Sequence, residues 1–212
     1  MSVGRLFDGL QLAALACLAW LALRRALALR ARGIRVFVVD RRRTLPHMLG
    51  DLLTTVCLLL WWYELLAHAC PLPTSLAPPA LDVVVVDAVG LKAAGAALMA
   101  AGLVVYGLAV QAMGDSWRIG IDRAAPGALV TSGIFAWTRN PVYVSFFLLI
   151  LGTFAVQGRL VYVVLALGLA VGIHGTVRRE ERFLGETFGD AYRDYCRAVG
   201  RYVTLRRPRR RQ

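Results

Sequence analysis

Apolar residues gather into blocks long enough to cross a bilayer, separated by short arginine-bearing segments. A span through the hydrocarbon core needs roughly 20 predominantly apolar residues, with about 17 as the lower limit. Five stretches stand out at 6–23, 46–69, 88–112, 142–157 and 160–177. The last two are short and separated only by Gln157-Gly158-Arg159, which predicts a tight helical hairpin. A secretory signal is the competing reading of residues 1–29, with Ala28-Leu29 as a loose cleavage region. Arg24 and Arg25 follow the apolar run directly, which suits a stop-transfer helix better. The pattern predicts an all-α integral membrane protein of about five transmembrane helices with an amphipathic C-terminal helical segment.

Composition and charge sharpen this picture. The chain is 58% hydrophobic, against about 45–50% in soluble domains. Cys17, Cys57, Cys70 and Cys196 are too scattered for a disulfide scaffold or a metal pair. Eight arginines lie in 24–43, three in 113–140 and eleven after residue 177, placing 22 of the 25 basic residues on one side of a five-span chain. Short basic loops stay cytoplasmic, so the N-terminus is expected outside and the tail inside. The loop 70–82 carries Pro71, Pro73, Pro78 and Pro79 and no basic residue, and is expected outside. Arginines hugging the ends of apolar spans argue against nucleic-acid binding. The terminal run Arg206-Arg207-Pro208-Arg209-Arg210-Arg211 suits contact with anionic lipid, although positive-inside topology alone accounts for it.

Chemistry concentrates on either side of the hairpin. Before it, Pro141 occupies a favourable first helical position and Asn140 a good N-cap position. Exposed N–H groups in that first turn suit an anion, yet the segment alone reads as an ordinary capped span. After it, Leu184, Phe188, Tyr192, Tyr195 and Val199 form one apolar stripe, with a helix break expected at Gly189. With Leu184 at the origin, Phe188 falls at about 40°, Glu181 at about 60° and Glu180 at about −40°. Arg179, Arg182 and Glu186 fall opposite. The two acids therefore face the packed side, either neutralised by Arg178 and Arg139 or binding a cation.

The order Leu-Val-Thr-Ser-Gly-x5-Arg-Asn-Pro-x-Tyr, an apolar hairpin, then Glu-Glu-x-x-Leu-x3-Phe-Gly-x-x-Tyr-x-x-Tyr-x3-Val-x-Arg resembles the isoprenylcysteine carboxyl methyltransferase family. It is also similar to the phospholipid N-methyltransferases that share its C-terminal half. The resemblance covers about residues 110–205, and Met113-Gly114-Asp115-Ser116-Trp117 fits the segment such proteins carry upstream. It implies a methyltransferase-like core over 91–212, with residues 1–90 supplying two spans, the basic loop and the outer loop. It implies S-adenosylmethionine as cofactor, held by Arg139, Asn140, Pro141, Tyr143, Glu180 and Glu181. Glu181 and Arg178 become candidate catalytic residues, Arg178 orienting an anionic acceptor. The acceptor is expected to be lipophilic or amphiphilic and to enter from the bilayer, and no metal is implied.

Two departures bear on mechanism. The family commonly has His where Asn140 stands and often Gly where Ser145 stands. Asn140 offers a donor and an acceptor but no titration near neutral pH, which excludes an imidazole base there. The absence of His from the motif segments favours an acceptor that arrives anionic, with His174 a remaining contributor. Alternatives are a sterol-type membrane reductase using a nicotinamide cofactor and a non-catalytic lipid-binding protein. No G-x-G-x-x-G follows a strand. Among the other polar residues, Glu64 and His68 read as a structural pair beside an aromatic belt of Trp61, Trp62 and Tyr63. His47 and Asp51 lie at the opposite end of that span. Gly90, Gly95, Ala97, Gly102 and Gly107 predict close packing of the third span.

Overall fold

The computed structural model describes residues 3–38, 44–70 and 74–204. Pro71, Pro73, Arg41, Arg42, Arg43 and the arginines of 206–211 lie outside those residues. Five helices form: α1 (Val3–Ala31), α2 (Leu45–Ala69), α3 (Val89–Met113), α4 (Pro141–Gln157) and α5 (Leu160–Ala198). No strand occurs among the described residues, only the isolated bridges Phe37–Ile119 and Val84–Arg159. Helices α1, α2, α3 and α5 are long and apolar enough to cross a membrane, and α4 is a shorter apolar helix of 17 residues. The chain is a multi-pass, all-helical membrane protein.

Helix α1 runs past the expected end at residue 23, through Arg24, Arg25 and Arg30 to Ala31. Arginine is a good helix former, and its long side chain keeps the charge at the interface, so these residues do not stop the helix. Gly33 does, at φ 74°, with its N–H on Arg30 O and Ile34 N–H on Leu29 O. Helix α5 has 39 residues, about 58 Å of helix against a hydrocarbon core of about 30 Å. That length exceeds what a single span needs, and the apolar residues of α5 are concentrated in 160–177, the expected span. Gly189 (φ 54°, ψ −122°) breaks the C-terminal part at the expected position.

The most extensive contact is α3 against α4, followed by α2 against α5. The first depends on absent side chains. A Cβ on Gly152 would lie 2.5 Å from Met99 Cγ and 2.7 Å from Gly95 O, and one on Gly102 would lie 3.0 Å from Ser145 O. Of the small residues predicted to pack, Gly95 and Gly102 do so, whereas Gly90 and Gly107 face open space. Ser145 is fully buried and donates to Val142 O at 2.6 Å, so the hydroxyl at this family-glycine position is satisfied within its own helix.

Short backbone pairings close both ends of the bundle. At one end Val38 N–H donates to Ile119 O and Ile119 N–H to Val36 O, joining the α1–α2 and α3–α4 connections. At the other, Val85 and Val86 donate to Gly158 O at the α4–α5 turn, and Arg159 pairs with Asp82 at 2.8 Å. Beside that turn Glu64 is buried and accepts from Ser75 Oγ (2.7 Å), Leu76 N (2.8 Å) and Ala77 N (3.0 Å). His68 bridges Tyr162 and Asp82. The Glu64–His68 pair is thus a clamp on the α2–α3 connection. Trp61 is a core residue and not part of an interfacial belt, while Trp62 lines a cavity described below.

Candidate active site

Glu181 is the hub of the C-terminal part of α5. Its Oε1 accepts from Arg139 Nε at 3.1 Å and Asn140 Nδ2 at 3.0 Å, and its Oε2 from Arg201 Nε at 2.9 Å. Backbone pairing brings these partners together. After α5 the chain turns back, so that Arg139 N–H donates to Gly200 O and Thr204 N–H to Trp137 O. The Tyr195 hydroxyl donates to Phe135 O at 2.7 Å, pinning the same segment. The apolar stripe closes as expected: Leu184, Phe188, Tyr192, Tyr195 and Val199 form one cluster with Leu129 and Cys196. Burial alone would raise the Glu181 pKa, but the Arg201 hydrogen bond, the Arg139 charge and the Asn140 amide hold it below the usual carboxylate value.

Asn140 stands at the N-cap of α4 but makes no side-chain cap bond. Its amide instead donates to Glu181 and to Arg201 O at 3.1 Å. A charge-assisted bond to a buried carboxylate outweighs a cap to a backbone amide, so the local rule loses to a tertiary partner.

Glu180, one residue earlier, has a different environment. It is half-buried and accepts a 2.7 Å hydrogen bond from the Tyr143 hydroxyl. Burial pushes its pKa up to about 7, with the Tyr143 bond and the Arg179 charge opposing and Glu181 reinforcing the rise. Arg179, expected on the solvated side, is drawn instead toward α2, where it pairs with Asp51 and donates to it from both terminal nitrogens.

Two cavities meet here. The larger, of about 510 Å³, runs from Glu180, Arg139 and Asn140 past Tyr143 and Phe146 to Thr54, Leu58 and Trp62 of α2. Those three α2 residues are one turn apart, so the cavity follows about 12 Å of helix into the bundle. A smaller one, of about 160 Å³, lies between the 116–130 connection and the C-terminal part of α5, against Phe183, Leu184 and Tyr195. Met113, Arg118, Gly120, Phe135, Arg139 and Glu180 line both. Among the described residues Arg118 is paired with Asp122 at 3.2 Å, while its Nε is buried without a hydrogen-bond partner.

The structure thus gathers Arg139, Asn140, Pro141, Tyr143 and Glu180 around the larger cavity, with Glu181 directly behind Arg139 and Asn140. Arg178 is exposed and lines neither cavity. Glu181 is neutralised by Arg139 and Arg201, not by Arg178, while Glu180 is bonded to the Tyr143 hydroxyl. His174 is exposed and contacts Tyr202 at 2.9 Å, away from the cavity. The sequence reading did not single out Arg118 or Arg201. Arg201 closes the quoted motif, so its position was visible though not its partner, whereas Arg118 lies in an aperiodic connection with no signal.

The family model of phospholipid methyltransferases matches residues 91–191. Protein-S-isoprenylcysteine O-methyltransferase of Schizosaccharomyces pombe is 38% identical over 78 residues, 36% of this chain and 33% of that protein. The chain therefore aligns with only a third of that curated relative's length. A solved structure of the eukaryotic intramembrane Ras methyltransferase, isoprenylcysteine carboxyl methyltransferase, shares the fold with a TM-score of 0.51 at 20% identity. That likeness covers 79% of this chain and 55% of the other. Helical spans enclosing a cavity bordered by Glu180 define an integral membrane protein with a candidate site among its helices. Residues 91–191 match the phospholipid methyltransferase family, and the chain is similar in part of its sequence and in its fold to isoprenylcysteine carboxyl methyltransferases.

Proposed function

We propose that the chain is an S-adenosylmethionine-dependent methyltransferase whose acceptor is lipophilic and carries an anionic group. The junction of the two cavities at Glu180, Arg139 and Arg118 is the observation that carries this reading. The residues present fit such a cofactor. Glu180 has one hydrogen-bond partner, Tyr143, and borders both cavities, so its carboxylate suits a cationic ligand. Together the cavities reach the range of about 300–1,000 Å³ usual for small-molecule sites. When bound, S-adenosylmethionine supplies an electrophilic methyl group on a sulfonium.

The chain's own residues have the remaining tasks. Glu181 fixes Arg139 and Asn140, and so the wall formed by Arg139, Asn140, Pro141 and Tyr143. The aromatic and aliphatic walls contributed by Trp62, Leu58 and Phe146 exclude water and accept a prenyl or acyl chain. Arg118, not Arg178, holds the acceptor's anion through its unpartnered Nε. In-line positioning then supplies much of the barrier reduction, up to about 7–11 kcal/mol in the best-oriented systems. Residues 91–212 form the methyltransferase core, and 1–90 add spans that complete the acceptor cavity through Leu18, Ala22, Thr54 and Leu58. By the basic excess the site faces the cytoplasm, with the N-terminus outside.

The test is twofold: calorimetry of the purified protein with S-adenosylhomocysteine, and incubation with labelled methyl donor and S-farnesylcysteine or membrane lipid extract. Binding together with label in the organic phase is expected. Folded protein that binds no S-adenosylhomocysteine overturns the reading.

A further inference from the structure

A third cavity lies at the basic end of α1, bordering the larger cavity above only through Tyr106. Because α1 continues through Arg24 and Arg25 to Ala31, these two arginines and Arg32, just past its end, line a cavity of about 610 Å³ together with Tyr106, Gly107 and Gln111 of α3. Two of the three guanidinium groups, those of Arg25 and Arg32, share one acidic partner there. Asp115 accepts from Arg32 Nη1 at 2.9 Å, and its Oδ1 lies 3.6 Å from Arg25 Nη2, near enough to attract but too far to bond. Arg24 lies over the Trp20 ring at 5.3 Å. The Arg25 side chain is 21% exposed. Its Nε and Nη2 are buried and have no hydrogen-bond partner among the described residues. Opposite them Gly107 leaves open space, with no atom within 4 Å of where a Cβ would stand.

A buried guanidinium edge without an acceptor is costly, and its planar fork matches the oxygens of a phosphate. The cavity keeps two positive charges beyond Asp115 and opens where an apolar helix passes into a basic segment, the level of lipid headgroups. We infer that this cavity binds a phosphate group, and its position at the membrane interface makes an anionic phospholipid the carrier. The site is independent of the methyltransferase reading.

Native mass spectrometry of the detergent-solubilised full chain, titrated with phosphatidylglycerol, phosphatidylcholine or inorganic phosphate, tests this. The wild type is expected to retain phosphatidylglycerol about tenfold more tightly than phosphatidylcholine. The double variant Arg25→Gln/Arg32→Gln is expected to lose that preference. Gly107→Leu keeps every arginine and fills the open space, so it too is expected to lose it while melting at or above the wild-type temperature. Replacing the arginines of 206–211 by glutamine is expected to leave the preference in place. Inorganic phosphate that binds alone and displaces the lipid supports the phosphate site and makes free phosphate its ligand. A preference that survives either cavity variant, or is absent from the wild type with no phosphate bound, overturns the proposal.

Discussion

Glu180 and Glu181 are consecutive residues in opposite electrostatic states: Glu181 is held ionised by Arg139 and Arg201, while burial lifts Glu180 to a pKa of about 7. The first belongs to the scaffold and the second borders the cavities. Helical geometry separates them, since neighbours on a helix differ by about 100° in direction.

Substitution by glutamine should therefore split the pair. Glu181→Gln leaves Arg139 and Arg201 without a counter-charge. Breaking a buried pair costs about 3–5 kcal/mol, less here because the Arg201 side chain is 37% exposed. The expected outcome is a melting temperature lower by several degrees without ligand. Glu180→Gln should melt near the wild type and bind S-adenosylmethionine roughly 10- to 100-fold more weakly, the range of one charge-assisted hydrogen bond. Equal cofactor affinity in Glu180→Gln and wild type, measured by calorimetry, would refute the role given to Glu180.

The same residue sets a pH dependence. Its folded pKa of about 7 exceeds the ordinary value of 4.5, so between these limits the folded state holds more protons than the unfolded one. Stability from this group is complete below pH 4.5 and declines as pH rises through about 7. Affinity for a cationic ligand moves the other way, rising through the same window as the carboxylate forms. Thermal melts and S-adenosylmethionine titrations from pH 5.5 to 8.5 should show both trends, and Glu180→Gln should flatten both.

The helices were legible in the sequence because length and continuity of apolar residues suffice to mark spans in a membrane. The end of α1 was not, because Arg24 and Arg25 look like a boundary in sequence and act as interfacial side chains on a continuing helix. The paired acids were legible from helical phase alone. Their partners were only half so: Arg139 follows from the motif, but Arg201 reaches Glu181 only because the chain reverses after Ala198. Asn140 takes the expected N-cap position, but its amide bonds a tertiary partner instead of capping, which a local rule does not reveal. Arg118 sits in a connection without periodicity, where no pattern tells which arginine points inward.

Glycine positions give a test of the α3–α4 contact. A Cβ at Gly152 collides with Met99 and with the Gly95 carbonyl, whereas one at Gly107 meets nothing. Gly152→Ala should lower the melting temperature. Gly107→Ala should raise it slightly, because alanine favours a helix interior by about 1 kcal/mol over glycine. Matching behaviour of the two variants in thermal melts would contradict the packing described.

Orientation is open to labelling. From the basic excess, Cys196 is expected in the cytoplasm and Cys70, beside the proline-bearing loop, outside. In intact cells an impermeant maleimide should modify Cys70 and spare Cys196, using variants in which each is the single cysteine. Modification of Cys196 from outside would invert the topology and move the site to the other face.

Arg118 decides what kind of acceptor the site takes. Its pairing with Asp122 uses one terminal nitrogen and leaves Nε without a partner among the described residues, on a side chain that lines both cavities. Arg139 has no such freedom, since Nε and Nη2 contact Glu181 and Nη1 reaches Cys196 O at 3.4 Å. On the proposed function, an acceptor carboxylate is expected to find its donor in Arg118. Arg118→Gln should raise the KM for S-farnesylcysteine about tenfold or more, as expected for loss of a charge-assisted bond. Its affinity for S-adenosylhomocysteine should change little, because Glu180 and Tyr143 are untouched. Arg118→Lys keeps the charge but not the planar fork, and should recover only part of the loss. An unchanged KM in Arg118→Gln would remove the anion from the acceptor's description, and an uncharged amine acceptor would then fit the cavity better.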